Sequence, residues 1–294
     1  YPNRGVQFAD YEYSFRYPRE FNLVTSGTAV SQEENGDYRI TRRKSPAPMR
    51  LLGFNLGKYE QTTVKRGSLT VEVSANRALE EALQPRDRMI VVPPPTVPWN
   101  RRTPNTGRII SVSPAPGPNP VDGLTRVAAR VADAFDFFTQ RFGPAPFQSL
   151  SVSPVPGTFG QGFPGLVYIS TLDKLFFAEL LAPHEVAHQW WGNSVRTGSY
   201  RDEWIMEAMA DYSALLFLEK RRGSDQLRDL LKHYRDNLLI ETEDKRPVEY
   251  AGPIIWGGRL RASATPNAFQ VIVYQKGAWV IHMLRGIMGD EKFF

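Results

Sequence analysis

Residues 184–188 read His-Glu-Val-Ala-His, two imidazoles four positions apart around a carboxylate. On an α-helix positions i and i+4 stand one above the other, so His184 and His188 can offer nitrogens to a single point. Glu185, about 100° around the helix, reaches a water held at that point. Zinc suits such a pair, because it accepts imidazole nitrogen at roughly 2.0–2.1 Å and in catalytic sites combines three protein ligands with one open position.

Two histidines leave one ligand to find. Glu207, in "DEWIMEAMADYSALL", is separated from His188 by 18 residues, enough for one helix to end at Gly192 and Asn193 and a second to pack back against it. Asp211, one turn beyond Glu207, shares its face, where a carboxylate accepts the outer N–H of a ligating imidazole and fixes its tautomer. A histidine pair alone is ambiguous, since buried histidines commonly do no more than donate to backbone carbonyls. The placement of Glu207 and Asp211 turns the reading toward one Zn2+ per chain. Cysteine is absent, so a transition metal must be held by imidazole and carboxylate, and the redox compartment stays open. Of the neighbouring aromatics, Trp190 is expected in the core and Trp191 is left between core and pocket. His233 and His282 each lie singly on a predicted helix and read as structural or surface residues.

The elements that must position these groups fall into two runs, which makes the fold α+β. Residues 1 to about 92 alternate with period 2: Tyr11, Tyr13, Phe15 and Tyr17 with Glu12, Ser14 and Arg16, and Leu69, Val71 and Val73 with Thr70 and Glu72. Such strands have one dry and one wet face, as in an antiparallel β-sandwich. Residues 93–120 contain nine prolines, which remove backbone donors and suggest a boundary near 115–121. Leu124, Ala128, Val131, Phe135, Phe138 and Phe142 then form a helical stripe that stops at Gly143 and Pro144. Strands are expected over 150–155 and 165–170 around a glycine-rich loop, and helices over 183–191, 203–222, 225–240 and from about 270. The division is therefore 1–116, a β-sandwich portion, and 117–294, a mixed α/β unit.

The chain has 294 residues, 41% hydrophobic, with a net charge of +5. It can bury a sizeable core. The basic clusters, such as Arg42-Arg43-Lys44 and Lys220-Arg221-Arg222, are short and scattered, which argues against a nucleic-acid partner. No run approaches 18 apolar residues, so no membrane segment is expected in this chain. The start at Tyr1 and a helical pattern still running at Phe294 suggest a piece of a longer protein. Oligomeric state and localisation, whether exported or cytoplasmic, are not indicated.

"HEVAHQWWGN", "DEWIMEAMADY" and "VYQKGAWVIHMLRGIMGDEKF", in that order and spacing, resemble the successive signatures of the aminopeptidase N type of zinc metallopeptidase, the gluzincin group that includes leukotriene hydrolase. "SPAPMRLLGFNLGKYE" is similar to the last strands of that family's N-terminal β-sandwich, and "FGPAPF" to the segment after the first helix of its thermolysin-like catalytic domain. The resemblance implies His184, His188 and Glu207 as zinc ligands, Glu185 as general base, and Tyr274 of "YQKGA" as a donor to the oxyanion. By packing alone Tyr274 reads as a core residue on a stripe with Gly277, Ala278 and Ile281. Peptide hydrolysis is the implied activity and a peptide the implied partner.

One stretch departs from the pattern. The family's Gly-x-Met-Glu-Asn motif, whose glutamate binds the substrate's α-amino group, corresponds here to "FGQGFPGLVYIS". Gly160, Gln161, Gly162 and Phe163 are the expected substrate-facing residues, yet Gly162 or Phe163 stands where the acid should be. An ammonium without a carboxylate partner would be desolvated and unpaired. Three readings stay open: an aminopeptidase-like enzyme with its amine anchor elsewhere, a peptidase not requiring a free N-terminus, and a zinc-containing scaffold that performs no chemistry.

Overall fold

A computed structural model describes residues 8–77, 88–92, 108–112, 120–145, 147–155, 159–170 and 175–294. At the N-terminus β1 (Glu12–Pro18), β2 (Asn22–Thr25), β3 (Thr28–Asn35), β4 (Tyr38–Lys44) and β5 (Phe54–Gly57) make two small antiparallel sheets, in the orders β1-β4-β3 and β2-β5. The alternation in β1 decides its orientation: Glu12, Ser14 and Arg16 are exposed, whereas Tyr17 is buried with its hydroxyl 3.1 Å from that of Thr41. Phe15 reaches across to Phe54, ring centroids 5.0 Å apart, and so ties the two sheets together.

Next come β6 (Tyr59–Arg66), β7 (Leu69–Asn76), β8 (Arg88–Val92), β9 (Arg108–Val112), β10 (Ser149–Val155), β11 (Gln161–Phe163) and β12 (Leu166–Ser170). Five of them form one mixed sheet in the order β11-β12-β10-β7-β6. β7, β10 and β12 run parallel, and β6 and β11 are antiparallel edges. This sheet crosses the division expected at 116/117, because β6 and β7 lie before it and β7 pairs with β10 after it. Proline content marks where backbone donors are missing and does not reveal which strands pair across a long connection. Part of that connection is itself strand, since Arg108–Val112 pairs with Arg88–Val92; residues 93–107 and 113–119 lie outside the described residues.

Helix α1 (Leu124–Phe142) lies over β6 and β7 and ends where Gly143 turns to φ 84°. Its predicted stripe is the buried one, and Phe138 is wholly enclosed by Phe142, Phe217 and Trp190. Helix α2 (Leu175–Ala187) begins well before the expected residue 183. Pro183, read as a helix start, sits inside it; a single missing N–H is tolerated there because the helix is held by packing on α1 and on α3 (Glu203–Arg222). The chain tightens after Ala187, with Trp190 N–H bonding back to the Ala187 carbonyl at 3.0 Å. Helix α4 (Ser224–Leu238) follows, then a π-helical segment, Gln270–Lys276, running into α5 (Gly277–Met288) and a last turn, α6 (Asp290–Phe293). Among the described residues no helix is long and apolar enough to cross a membrane.

Because Phe138 is fully buried at the junction of α1, α2 and α3, Phe138→Ala is expected to cost about 3–5 kcal/mol, measurable as a lower urea midpoint with unchanged slope.

Candidate metal centre

Helices α2 and α3 lie side by side and bring three donor atoms together. His184 Nε2 and His188 Nε2 are 3.1 Å apart, and Glu207 Oε2 is 3.5 Å from the first and 3.4 Å from the second. Three atoms bound to one tetrahedral ion at roughly 2.0–2.1 Å would be separated by about 3.3 Å, so this triangle fits zinc. It fits hydrogen bonding poorly: Glu207 Oε2 is buried with no hydrogen-bond partner, and the imidazoles are beyond good bonding distance from it.

The far sides of the two imidazoles are held in place. His188 Nδ1–H donates to the Trp191 carbonyl at 2.9 Å, leaving Nε2 as the free lone pair. His184 Nδ1 faces Asp211 Oδ1 at 3.6 Å. Asp211, one turn along α3 from Glu207, therefore faces the outer nitrogen of His184 at a distance longer than a hydrogen bond.

Glu185 is buried on the same turn, and its Oε2 has no hydrogen-bond partner. Burial raises its pKa, opposed by the two nearby imidazoles, which is the direction needed for a carboxylate that takes and returns a proton. The wall facing it is β11. A Cβ at Gly160 would collide with the Glu185 carboxylate, and a Cβ at Gly162 would lie 2.6 Å from His188 Cβ. Gly162 therefore permits a backbone approach that no side chain could share, whereas at Gly160 the Glu185 side chain would have to move aside. Gln161 is exposed, and Phe163 packs against Tyr168 at 5.3 Å.

Tyr274 is delivered by the π-helical segment, not by the regular helix its packing stripe suggested. Wider turns of this kind occur often at functional sites. Its ring stacks on His184, centroids 5.5 Å apart and 19° from parallel. Burial and the adjacent Glu207 carboxylate push its pKa above the usual phenol range, so the hydroxyl keeps its proton and can donate. Gly277, next to this segment, allows the close contact with α3: a Cβ there would lie 2.7 Å from that of Ala208.

Several residues of the site were not singled out in the sequence. Gln189 is fully buried; it accepts from Gly165 N–H at 3.0 Å and so clamps the β11–β12 turn onto α2. A polar residue between His188 and two tryptophans was the available signal. Trp191 lines a cavity of about 460 Å³ shared with His188, Glu207, Glu203, Arg50 and Arg261. Trp190 is in the core, as expected, donating to the Gly143 carbonyl at 2.8 Å. His282 accepts from or donates to the Tyr212 hydroxyl at 3.0 Å, and His233 is exposed; neither faces the triad. A larger hollow of about 860 Å³, lined by Glu241, Glu243 and Asp244, contains none of the predicted residues.

His184, His188 and Glu207, brought to one point beside a mixed sheet whose edge strand flanks them, make a group that could hold a metal ion. Residues 169–294 of the chain match the Peptidase family M1 domain. Human endoplasmic reticulum aminopeptidase 2 is 32% identical over 128 residues, covering 42% of this chain and 12% of that protein. Glutamyl aminopeptidase of Sus scrofa is 31% identical over 110 residues, 37% of this chain and 11% of that protein. An M1 zinc metallopeptidase from Deinococcus radiodurans has the same fold, with a TM-score of 0.63 and 20% identity over 98% of this chain and 55% of that one. The chain spans about an eighth of the length of these curated relatives and about half of that solved structure.

Two outcomes follow from this geometry. Burial lowers the His184 pKa, but the carboxylates of Asp211 and Glu207 override it and push it up to about 10; His188 is raised too, burial again being outweighed by Glu207. At neutral pH the metal-free site holds a proton on His184 that a metal must expel, so zinc affinity is expected to rise about tenfold per pH unit for each proton released. Calorimetry in buffers of different ionisation enthalpy should count at least one proton per zinc at pH 7. Separately, Gly162→Ala is expected to push β11 off α2 and to weaken zinc binding by about 10–100-fold, the scale seen when outer supports of a metal site are lost; competition with a chromogenic chelator measures it.

Proposed function

We propose that this chain is the zinc-binding part of a metallopeptidase of the aminopeptidase type, hydrolysing peptide bonds with Glu185 as general base. The observation that carries the reading is the buried triangle of His184, His188 and Glu207 with the Glu185 carboxylate beside it, whose Oε2 has no hydrogen-bond partner. The names of the relatives support it, as does the match to the M1 domain. Zinc, when bound by the three ligands, supplies a Lewis acid that acidifies a water and polarises a carbonyl. Glu185 accepts the proton from that water and returns it to the leaving amine, a task for which a buried carboxylate of raised pKa is suited. Tyr274 donates its hydroxyl hydrogen to the oxygen that becomes negative at the scissile carbonyl. Asp211 orients His184. Strand β11, the edge of the sheet and not the interior strand β12, offers with Gly160 before it an edge along which an extended peptide pairs by backbone hydrogen bonds. Within this reading the N-terminal sandwich portion ends before β6, and the hydrolytic unit takes in β6, β7 and everything from α1 onward.

The glycine at 162 favours a second reading of specificity. With no carboxylate on β11, a free substrate amine has no partner there, and peptides with blocked N-termini are admissible. Metal content and hydrolysis of a peptide library with free and acetylated N-termini test both points. About one zinc per chain is expected in wild type and in Glu185→Gln, with turnover reduced about 10²–10⁴-fold in the variant. Tyr274→Phe should keep zinc and lower kcat about 10²–10³-fold with little change in KM. Absence of zinc would sink the reading; zinc with no cleavage in wild type would leave a silent metal module; rejection of every acetylated peptide would restore a strict aminopeptidase.

A further inference from the structure

The cavity beside the metal ligands carries two cationic side chains that form no ion pair among the described residues. Its wall contains two guanidinium groups, Arg50 from the loop after β4 and Arg261 from the turn Ile254–Ala262. Neither pairs with a carboxylate among the described residues. Apart from Glu207, the one acid in the wall is Glu203, and its Oε2 already accepts the Gly258 N–H at 2.9 Å.

Arg261 is also fixed relative to the reacting centre. Its guanidinium lies 3.5 Å from the centroid of Phe269, which packs on Tyr274 at 5.6 Å, which in turn stacks on His184 at 5.5 Å. Three ring contacts thus carry the position of this cation to the metal ligand. A planar guanidinium stacked on an aromatic face leaves its edge free for a bidentate carboxylate. On the opposite wall Gly162 is held against His188, so an acid cannot be built there to offset the charge.

We propose that this cavity binds a carboxylate of the peptide through Arg261 and Arg50, so that the chain prefers substrates with an acidic group next to the scissile bond; the proposal rests on the peptidase reading above. The carboxylate comes either from an aspartate or glutamate side chain or from the C-terminus of a very short peptide.

The test uses zinc-loaded protein and peptide pairs that differ only by Glu or Gln on either side of the scissile bond, each prepared as the C-terminal acid and the amide. The ratio of kcat/KM for Glu over Gln is read in wild type, Arg261→Gln and Arg50→Gln, and binding of the same peptides to Glu185→Gln is read by calorimetry. Hydrogen bonds to charged groups at a partly exposed site should give a preference of at least about fivefold, falling toward one in Arg261→Gln. Preference for acids over amides whatever the side chain assigns the terminal carboxylate as the source. No preference in wild type, or a preference that survives both arginine substitutions, overturns the proposal while hydrolysis leaves the peptidase reading standing. If nothing is hydrolysed but Glu peptides bind more tightly and lose that advantage in Arg261→Gln, the anion site stands and the peptidase reading fails.

Discussion

The structure depends on gathering charge in a place from which water is excluded. His184, Glu185, His188, Glu207 and Asp211 are all buried, the first three at the end of α2 and the last two on one turn of α3. Isolated, each ionised group would be too costly to bury. Together they offset one another, imidazole against carboxylate, and the oxygens left without hydrogen-bond partners point to a cation as the missing member. Such an arrangement survives only where the two helices bearing it cannot separate, and most of the remaining architecture serves that end.

The clamp is built from opposite sides. Phe135, Phe138 and Trp190 form an aromatic block under α2, joining it to α1 and, through Phe217, to α3. Above it, β11 comes so near that only glycine fits at 162, and Gln189 ties the β11–β12 turn down. On the third side the π-helical segment leans on α3 at Gly277 and Ala208 and lays Tyr274 over His184. Small residues at the contacts set the distances, and large ones set the stiffness. The same packing explains why the site can be selective: its walls come from the N-terminal loops, from β11 and from the turn carrying Arg261, three parts of the chain far apart in sequence.

Much of the site was legible because helix geometry converts sequence spacing directly into spatial spacing. His184 and His188 had to share a face whatever the fold, as did Glu207 and Asp211, and the stripe from Leu124 to Phe142 had to be buried if α1 formed. Strand pairing offers no such rule. Nothing local in "SLTVEVS" states that β7 lies parallel to a strand about eighty residues later, and so the division at 116/117 followed composition where the sheet follows long-range pairing. The start of α2 was missed for a related reason, because Pro183 resembles a helix start locally and becomes an interior residue only through packing on its neighbours.

By itself the sequence determined the chemistry available: imidazole and carboxylate donors without thiolate, a carboxylate at Glu185 between the two histidines, and no acid at Gly162. The tertiary structure decided how near these groups come and what surrounds them. Only folding closes His184, His188 and Glu207 into a triangle of 3.1–3.5 Å edges, turns Tyr274 onto His184, and brings Arg50 and Arg261 to the same cavity. The reason is physical: spacing within a helix is set by covalent geometry and backbone hydrogen bonds, whereas spacing between elements is set by side-chain packing, which depends on residues far apart in the chain.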